Sequence, residues 1–195
     1  LTISFYRRDF SQQIDTGLLI EPQSLTWSAF GGPQQAEIKL KGPFPNLLKA
    51  LNLLRSPVMV CDRQASPVWW GYVSSIRLMD KKASFTASLD ALYIRVKVIY
   101  SYLSPDNKLA DPYTTTTADN TRSQSEYGIR EISLHQSDID EDFAEQLRDA
   151  FLDRHGWPKT FLSKNQVCEE SHVILSCSGW FSTLGWQTYL SSTGF

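Results

Sequence analysis

Cysteine is scarce: Cys61, Cys168 and Cys177 are the three in 195 residues, too few and odd in number for a disulfide framework. Reduced thiols in a reducing compartment are expected, with Cys168 and Cys177 buried among apolar neighbours. An excess of charge is lacking too. Nineteen Lys and Arg stand against 21 Asp and Glu, a net of −2, so there is no concentrated cationic surplus with which to neutralise a polyanion. Specific nucleic-acid binding is therefore not expected. No apolar run approaches the ~18 to 20 residues of a membrane-spanning helix, since Arg95 and Lys97 break the most apolar stretch. The N-terminal Leu-Thr-Ile-Ser-Phe-Tyr-Arg-Arg has neither the basic-then-apolar order of a signal peptide nor a starting Met, as expected of a processed or partial chain.

Catalytic signatures are missing as well. There is no nucleophile elbow, phosphate loop or dinucleotide fingerprint, and Gly31-Gly32 reads as a turn. His135, His155 and His172 sit in no motif beside a Ser or Cys nucleophile. The acidic cluster Asp138, Asp140, Glu141 and Asp142 lacks the glycine and distal glutamate of a calcium loop and reads as a charge-complemented helix start. Cys168, His172 and Cys177 offer three zinc ligand types without a fourth nearby, so strand geometry explains them better. No enzyme, cofactor or metal is expected.

What is present is β patterning. Leu25, Trp27 and Ala29 share one face of a strand, and Ala36, Ile38 and Leu40 one face of the next, with the turn Phe30-Gly31-Gly32-Pro33-Gln34 between them. The strongest strand covers 68–79, where alternation puts Trp70, Tyr72, Ile76 and Leu78 on one face and Trp69, Val73 and Met79 on the other. Runs at 83–89 and 93–100 bring the set to about six strands, enough for a small barrel or sandwich. A helix at 45–55, with Leu47, Leu51 and Leu54 at helical spacing and Pro57 beyond it, has the apolar stripe of a barrel plug.

From 104 to 128 the composition turns polar, with four threonines at Thr114 to Thr117, and a domain boundary is placed at its start. The stretch reads as an exposed excursion, available for partner contacts or serving as a linker. A strand at 128–134 follows, then a helix near 139–155 with Ile139, Phe143, Leu147 and Phe151 every fourth residue. Strands at 167–178 and 184–190 close the chain. The expected fold is β-rich α+β: a barrel-like domain at 1–103 with its plug helix near 46–55, and a second α+β domain at 104–195, each with an accompanying helix.

Three segments carry a resemblance. Trp70-Gly71-Tyr72-Val73, preceded by the strand Pro57-Val58-Met59-Val60-Cys61, is similar to a pattern of tailed-phage baseplate hub proteins, as is the stretch Asp119-Asn120-Thr121-Arg122-Ser123-Gln124-Ser125-Glu126-Tyr127-Gly128-Ile129-Arg130-Glu131, which resembles the segment before the second-domain helix of those proteins. The segment Gly179-Trp180, Thr183-Leu184, Trp186, Tyr189 resembles the part that follows the second-domain helix in those proteins. The resemblance implies two barrel-like domains in a ring, a trimer or a hexamer, that docks with other tail proteins at a virion tail tip after a cytoplasmic stage in the producing bacterium. Hub proteins generally continue beyond Thr193-Gly194-Phe195, so it also implies an N-terminal fragment or a reduced version. Interface candidates are Trp69, Tyr113, Tyr127 and Arg130. The alternative is a carbohydrate-binding module in which Trp69, Trp157 or Trp180 stacks on a sugar.

Overall fold

The computed structural model describes residues 1–29, 31–81, 83–102, 111–164 and 170–186. Two compact units emerge, one comprising Leu1–Asp90 and Pro158–Leu184, the other built on Ala91–Trp157. The boundary expected at residues 103/104 therefore falls elsewhere. The strand at 95–101 pairs only within the second unit, and the chain returns at 158 to give the first unit its central strand. Composition reports where the chain is polar, whereas unit membership is set by pairings between residues far apart in sequence.

The first unit is a nine-stranded, antiparallel, curled half-barrel sheet. Its strands are β1 (Thr2–Tyr6), β2 (Gln13–Ile14), β3 (Leu19–Ser28), β4 (Gly32–Lys41), β5 (Pro57–Cys61), β6 (Pro67–Asp80), β7 (Ala83–Ser88), β12 (Lys159–Lys164) and β13 (His172–Gly179). β13 lies between β4 and β6. The 14-residue β6 is long enough for β5 to pair along its first half and β7 along its second, so the sheet forks there.

Ala36, Ile38 and Leu40 are buried on one face of β4, as alternation predicts. On β6 the expected faces differ from the observed ones. Cys177 pairs with Val73 but Ser176 with Ser75, which leaves Ser74 as the extra residue of a β-bulge. The bulge flips the alternation, so Trp69 and Val73 before it and Ile76 and Leu78 after it share the inner face. Trp70 is left 44% exposed, and Trp27 52%, its indole N–H donating to the Val68 carbonyl at 2.8 Å.

The plug helix is shorter and tighter than expected. α1 (Phe44–Lys49) passes at once into a 3-10 turn, Ala50–Leu53, and the buried stripe becomes Leu47, Ala50 and Leu53 in place of Leu47, Leu51 and Leu54 alone. Three residues per turn put i and i+3 on one line. Leu54 is buried beyond the turn.

In the second unit, β8 (Arg95–Ser101) is flanked on one side by the two-residue strands β9 (Tyr113–Thr114) and β10 (Ala118–Asp119), and on the other, in parallel, by β11 (Glu131–Ser137). Of the stretch expected to be an excursion, 104–110 lies outside the described residues, and the rest carries β9, β10 and α2 (Thr121–Tyr127). α3 (Glu141–His155) starts at Asp140, whose carboxylate accepts from the Phe143 N–H at 2.8 Å. Val98, Tyr100 and Ala144 form one core cluster with Leu134, Ile139 and Leu147, Leu92, Ile94 and Val96 are also buried, and Phe143 stands exposed. An every-fourth-residue repeat drifts around a 3.6-residue helix, and the buried line runs through Ala144 and Arg148.

The strand expected at 184–190 begins inside a second 3-10 segment, Trp180–Trp186, and its remainder lies outside the described residues, as does 167–169 of the strand expected at 167–178. Among the described residues, no helix is long and apolar enough to cross a membrane.

Candidate interaction surfaces

The first surface grows from the sheet register. Directly opposed residues form a row on the inner face: Ile20 on β3, Leu40 on β4, Val173 on β13, Leu78 on β6, Phe85 on β7 and Leu162 on β12. Leu40 and Val173 are fully buried, Phe85 is half-buried, and Leu162 is 78% exposed. The core row therefore runs out to an uncovered edge strand. On the other face of β12, Phe161 is 59% exposed opposite Thr86. Ser163 anchors the strand through its hydroxyl, 2.9 Å from that of the buried Ser84. Sequence reading missed β12, although Lys159-Thr160-Phe161-Leu162-Ser163-Lys164 has an apolar centre between lysines, the mark of a guarded edge.

The second surface lies on the second unit. Tyr113 on β9 stacks on Tyr102 with ring centroids 5.7 Å apart and 18° between planes, and meets Tyr100 of β8 at 5.9 Å. Tyr102 and Tyr113 are both more than two-fifths exposed. The hydrogen bond between their hydroxyls, 3.5 Å, and the neighbouring negative charge hold the Tyr113 phenol above its usual pKa.

The third is where two of the motif segments meet. Gly71 of β6 faces Gly179 of β13, and both must be glycine. A Cβ on Gly71 would sit 2.2 Å from the Ser178 carbonyl oxygen, and one on Gly179 only 1.8 Å from that of Pro33. Past this close approach the Trp180 ring reaches Tyr72 at 5.2 Å and Phe10 at 5.6 Å. The Arg55 guanidinium lies over both Tyr72 (4.4 Å) and Trp180 (4.6 Å), and burial pushes its pKa down to about 10, which leaves it charged at neutral pH.

No family model, curated protein or solved structure matches the chain.

The expected candidates do not gather into one place. Trp69 is wholly buried on the inner face of β6, its indole N–H without a hydrogen-bond partner, so it offers no surface to a subunit or a sugar. The bulge explains the exchange with Trp70, which carries the exposed ring. Tyr113 is in the stacked ladder. Tyr127 is half-buried at the end of α2, and Arg130, also half-buried, lies over the Tyr93 ring at 5.0 Å. Of the other proposed sugar stackers, Trp157 is 40% exposed with Arg122 at 5.8 Å, and Trp180 is half-buried in the arginine cluster.

His172 and Cys177 stand five residues apart on β13 and so point to opposite faces, and Cys168 lies outside the described residues. Among the described residues, no three His, Cys, Asp or Glu side chains converge as a metal site. Burial raises the Cys177 thiol far above its usual pKa, which suits a core residue and not a nucleophile.

Proposed function

We propose that the chain is a non-enzymatic structural subunit of a phage or phage-like tail tip, a baseplate-hub protein whose copies form a ring between tail tube and receptor-binding or puncturing parts. The observation that carries this reading is the large apolar surface on both units: Trp27, Trp70, Phe161 and Leu162 on the first, Tyr102 and Tyr113 on the second. Side chains of this size, clustered on strands and edges, suit a protein that acts by docking. The meeting of the Trp70-Gly71-Tyr72-Val73 and Gly179-Trp180 segments across β6 and β13 adds support, because two of the segments that resemble hub proteins then serve one packing arrangement. A half-barrel completed by neighbours is also the kind of wall a ring is built from.

Negative-stain electron microscopy of the full chain at micromolar concentration tests the reading. Closed rings with a central hole are expected, threefold for a hub and sixfold for a distal-tail ring. Compact monomers, together with a surface glycan whose binding is lost in Trp157→Ala, would replace it with a carbohydrate-binding module.

A further inference from the structure

Two bulges fall at one level of the first sheet. β3 carries Gln23 as an extra residue, since Pro22 pairs with Ile38 but Ser24 with Glu37, and β6 carries Ser74. Between them Ser24, Glu37, Ser176 and Ser75 stand opposite one another across β3, β4, β13 and β6, a row on the outer face about 14 Å long at ~4.8 Å between strands. A bulge bends its strand and re-aims side chains. Here Ser74 and Ser75, successive in sequence, both line one groove of about 320 Å³. The Leu89 N–H donates to the Ser74 carbonyl at 2.9 Å and the Asp90 N–H to the Ser88 hydroxyl at 3.1 Å, which sets Asp90 at the end of that groove. We propose that the groove is a binding site for a small neutral saccharide.

The lining selects the ligand class. Five serines, Gln35, Glu37 and Asp90 provide its polar groups. Among the described residues no Lys, Arg, His or aromatic ring lines the groove, so neither an anion nor an apolar molecule finds its partner there. The carboxylates of Glu37 and Asp90 hold no hydrogen bond or ion pair with another described residue and stand ready as acceptors. An ammonium ion has donors alone, and would leave the Ser75 and Ser176 hydroxyls and the Gln35 amide, which also donate, without acceptors from the ligand. A sugar hydroxyl both donates and accepts. Neighbouring hydroxyls of one ring can therefore donate to a carboxylate and accept from a serine or from Gln35. The volume lies at the lower end of the ~300–1,000 Å³ of small-molecule sites, and exposed Ser24, Glu37, Ser176 and Asp90 leave it open to solvent. Such sites are mostly apolar, so a polar lining asks for a ligand that carries polar groups all round. The inference stands apart from the tail-tip reading, since binding at this groove needs no ring, and from a sugar stacked on Trp157, which lies in the other unit.

The test uses the full chain, with amide shifts followed by NMR as maltose, lactose or diacetylchitobiose is added to tens of millimolar, and spermidine as the cationic comparison. Saturable shifts centred on Glu37, Ser75 and Ser176 are expected with at least one of the sugars and not with spermidine. Glu37→Gln is expected to weaken that binding by about tenfold or more, and Ser176→Val to abolish it, each with the rest of the spectrum intact because both side chains are exposed. Trp157→Ala is expected to leave it unchanged. No response to any of the sugars overturns the proposal. So does a stronger response to spermidine, which would make the groove an amine site, or sugar binding that survives Ser176→Val and is lost in Trp157→Ala. Rings in micrographs, present or absent, bear only on the tail-tip reading.

Discussion

The two units hold their strands together by different means. In the first, rows of apolar side chains cross up to six strands, and the row through Ile38, Leu175, Ile76 and Ala87 is buried from end to end. In the second, Leu92, Ile94, Val96 and Val98 are fully buried, and polar side chains share the joining. Thr115 is the clearest case: its N–H donates to the Val98 carbonyl while its hydroxyl accepts from the Val98 N–H, so one buried threonine continues the ladder between β9 and β10. Buried Arg148 donates to both the carbonyl and the hydroxyl of Thr116, at 3.0 and 2.7 Å, and is held protonated by Asp149 and Glu145. Asn120 caps α2 through Ser123, donates its amide to the Gly156 carbonyl at the end of α3, and donates its backbone N–H to Ile94. Along the two-residue strands β9 and β10, directional bonds supply register that packing supplies elsewhere.

This contrast can be broken or sharpened. Leu175→Ala, in the middle of a buried row, is expected to destabilise the first unit by about 2–5 kcal/mol in denaturant melts, the range for deleting a buried leucine side chain. Gly179→Ala, which drives a Cβ into the Pro33 carbonyl, is expected to lose about 3 kcal/mol through overpacking. In the second unit, Thr115→Val keeps the shape and strands the Val98 N–H, for a loss of about 1–3 kcal/mol and faster amide exchange at Val98. A loss below the error of the melt would mean that apolar packing suffices there. The smallest effect is a pH dependence. The folded Tyr113 phenol has a raised pKa, so its contribution is full below the ordinary tyrosine value of about 10 and fades as pH rises through the folded value. Tyr113→Phe should remove that alkaline decline, read from thermal melts across the titration.

What could be read in advance follows the same divide. The inner faces of β4 and β13 obey plain alternation, so Ile38, Leu40, Val173 and Leu175 are legible as core. A single extra residue, Ser74, reversed the roles of Trp69 and Trp70, and nothing in composition marks a bulge. The 3-10 turn after α1 moved the plug stripe by one residue for a similar reason: local tightening is decided by packing. β12 was hidden because two adjacent apolar residues on an edge strand do not alternate with burial. The ordered polar segment was missed because Thr115, Thr116 and Asn120 look like loop residues until the partners of their hydroxyls and amides are known. Of the residues on these surfaces, the exposed Tyr113 is singled out by sequence, whereas Tyr102 and the exposed edge need the register.

The position of β13 has a consequence for how the protein is made. β4 and β6 are joined only through it among the described residues, yet it is translated last of the first unit's strands, after the whole of 91–157. On the ribosome, residues 91–157 have all been made while Ile38, Leu40, Ile76 and Leu78 still await their neighbour. Closing so long a loop late makes folding slow and leaves apolar strands uncovered during synthesis. The nascent chain thus depends on the emergence of eight residues, His172–Gly179, before its larger sheet can close.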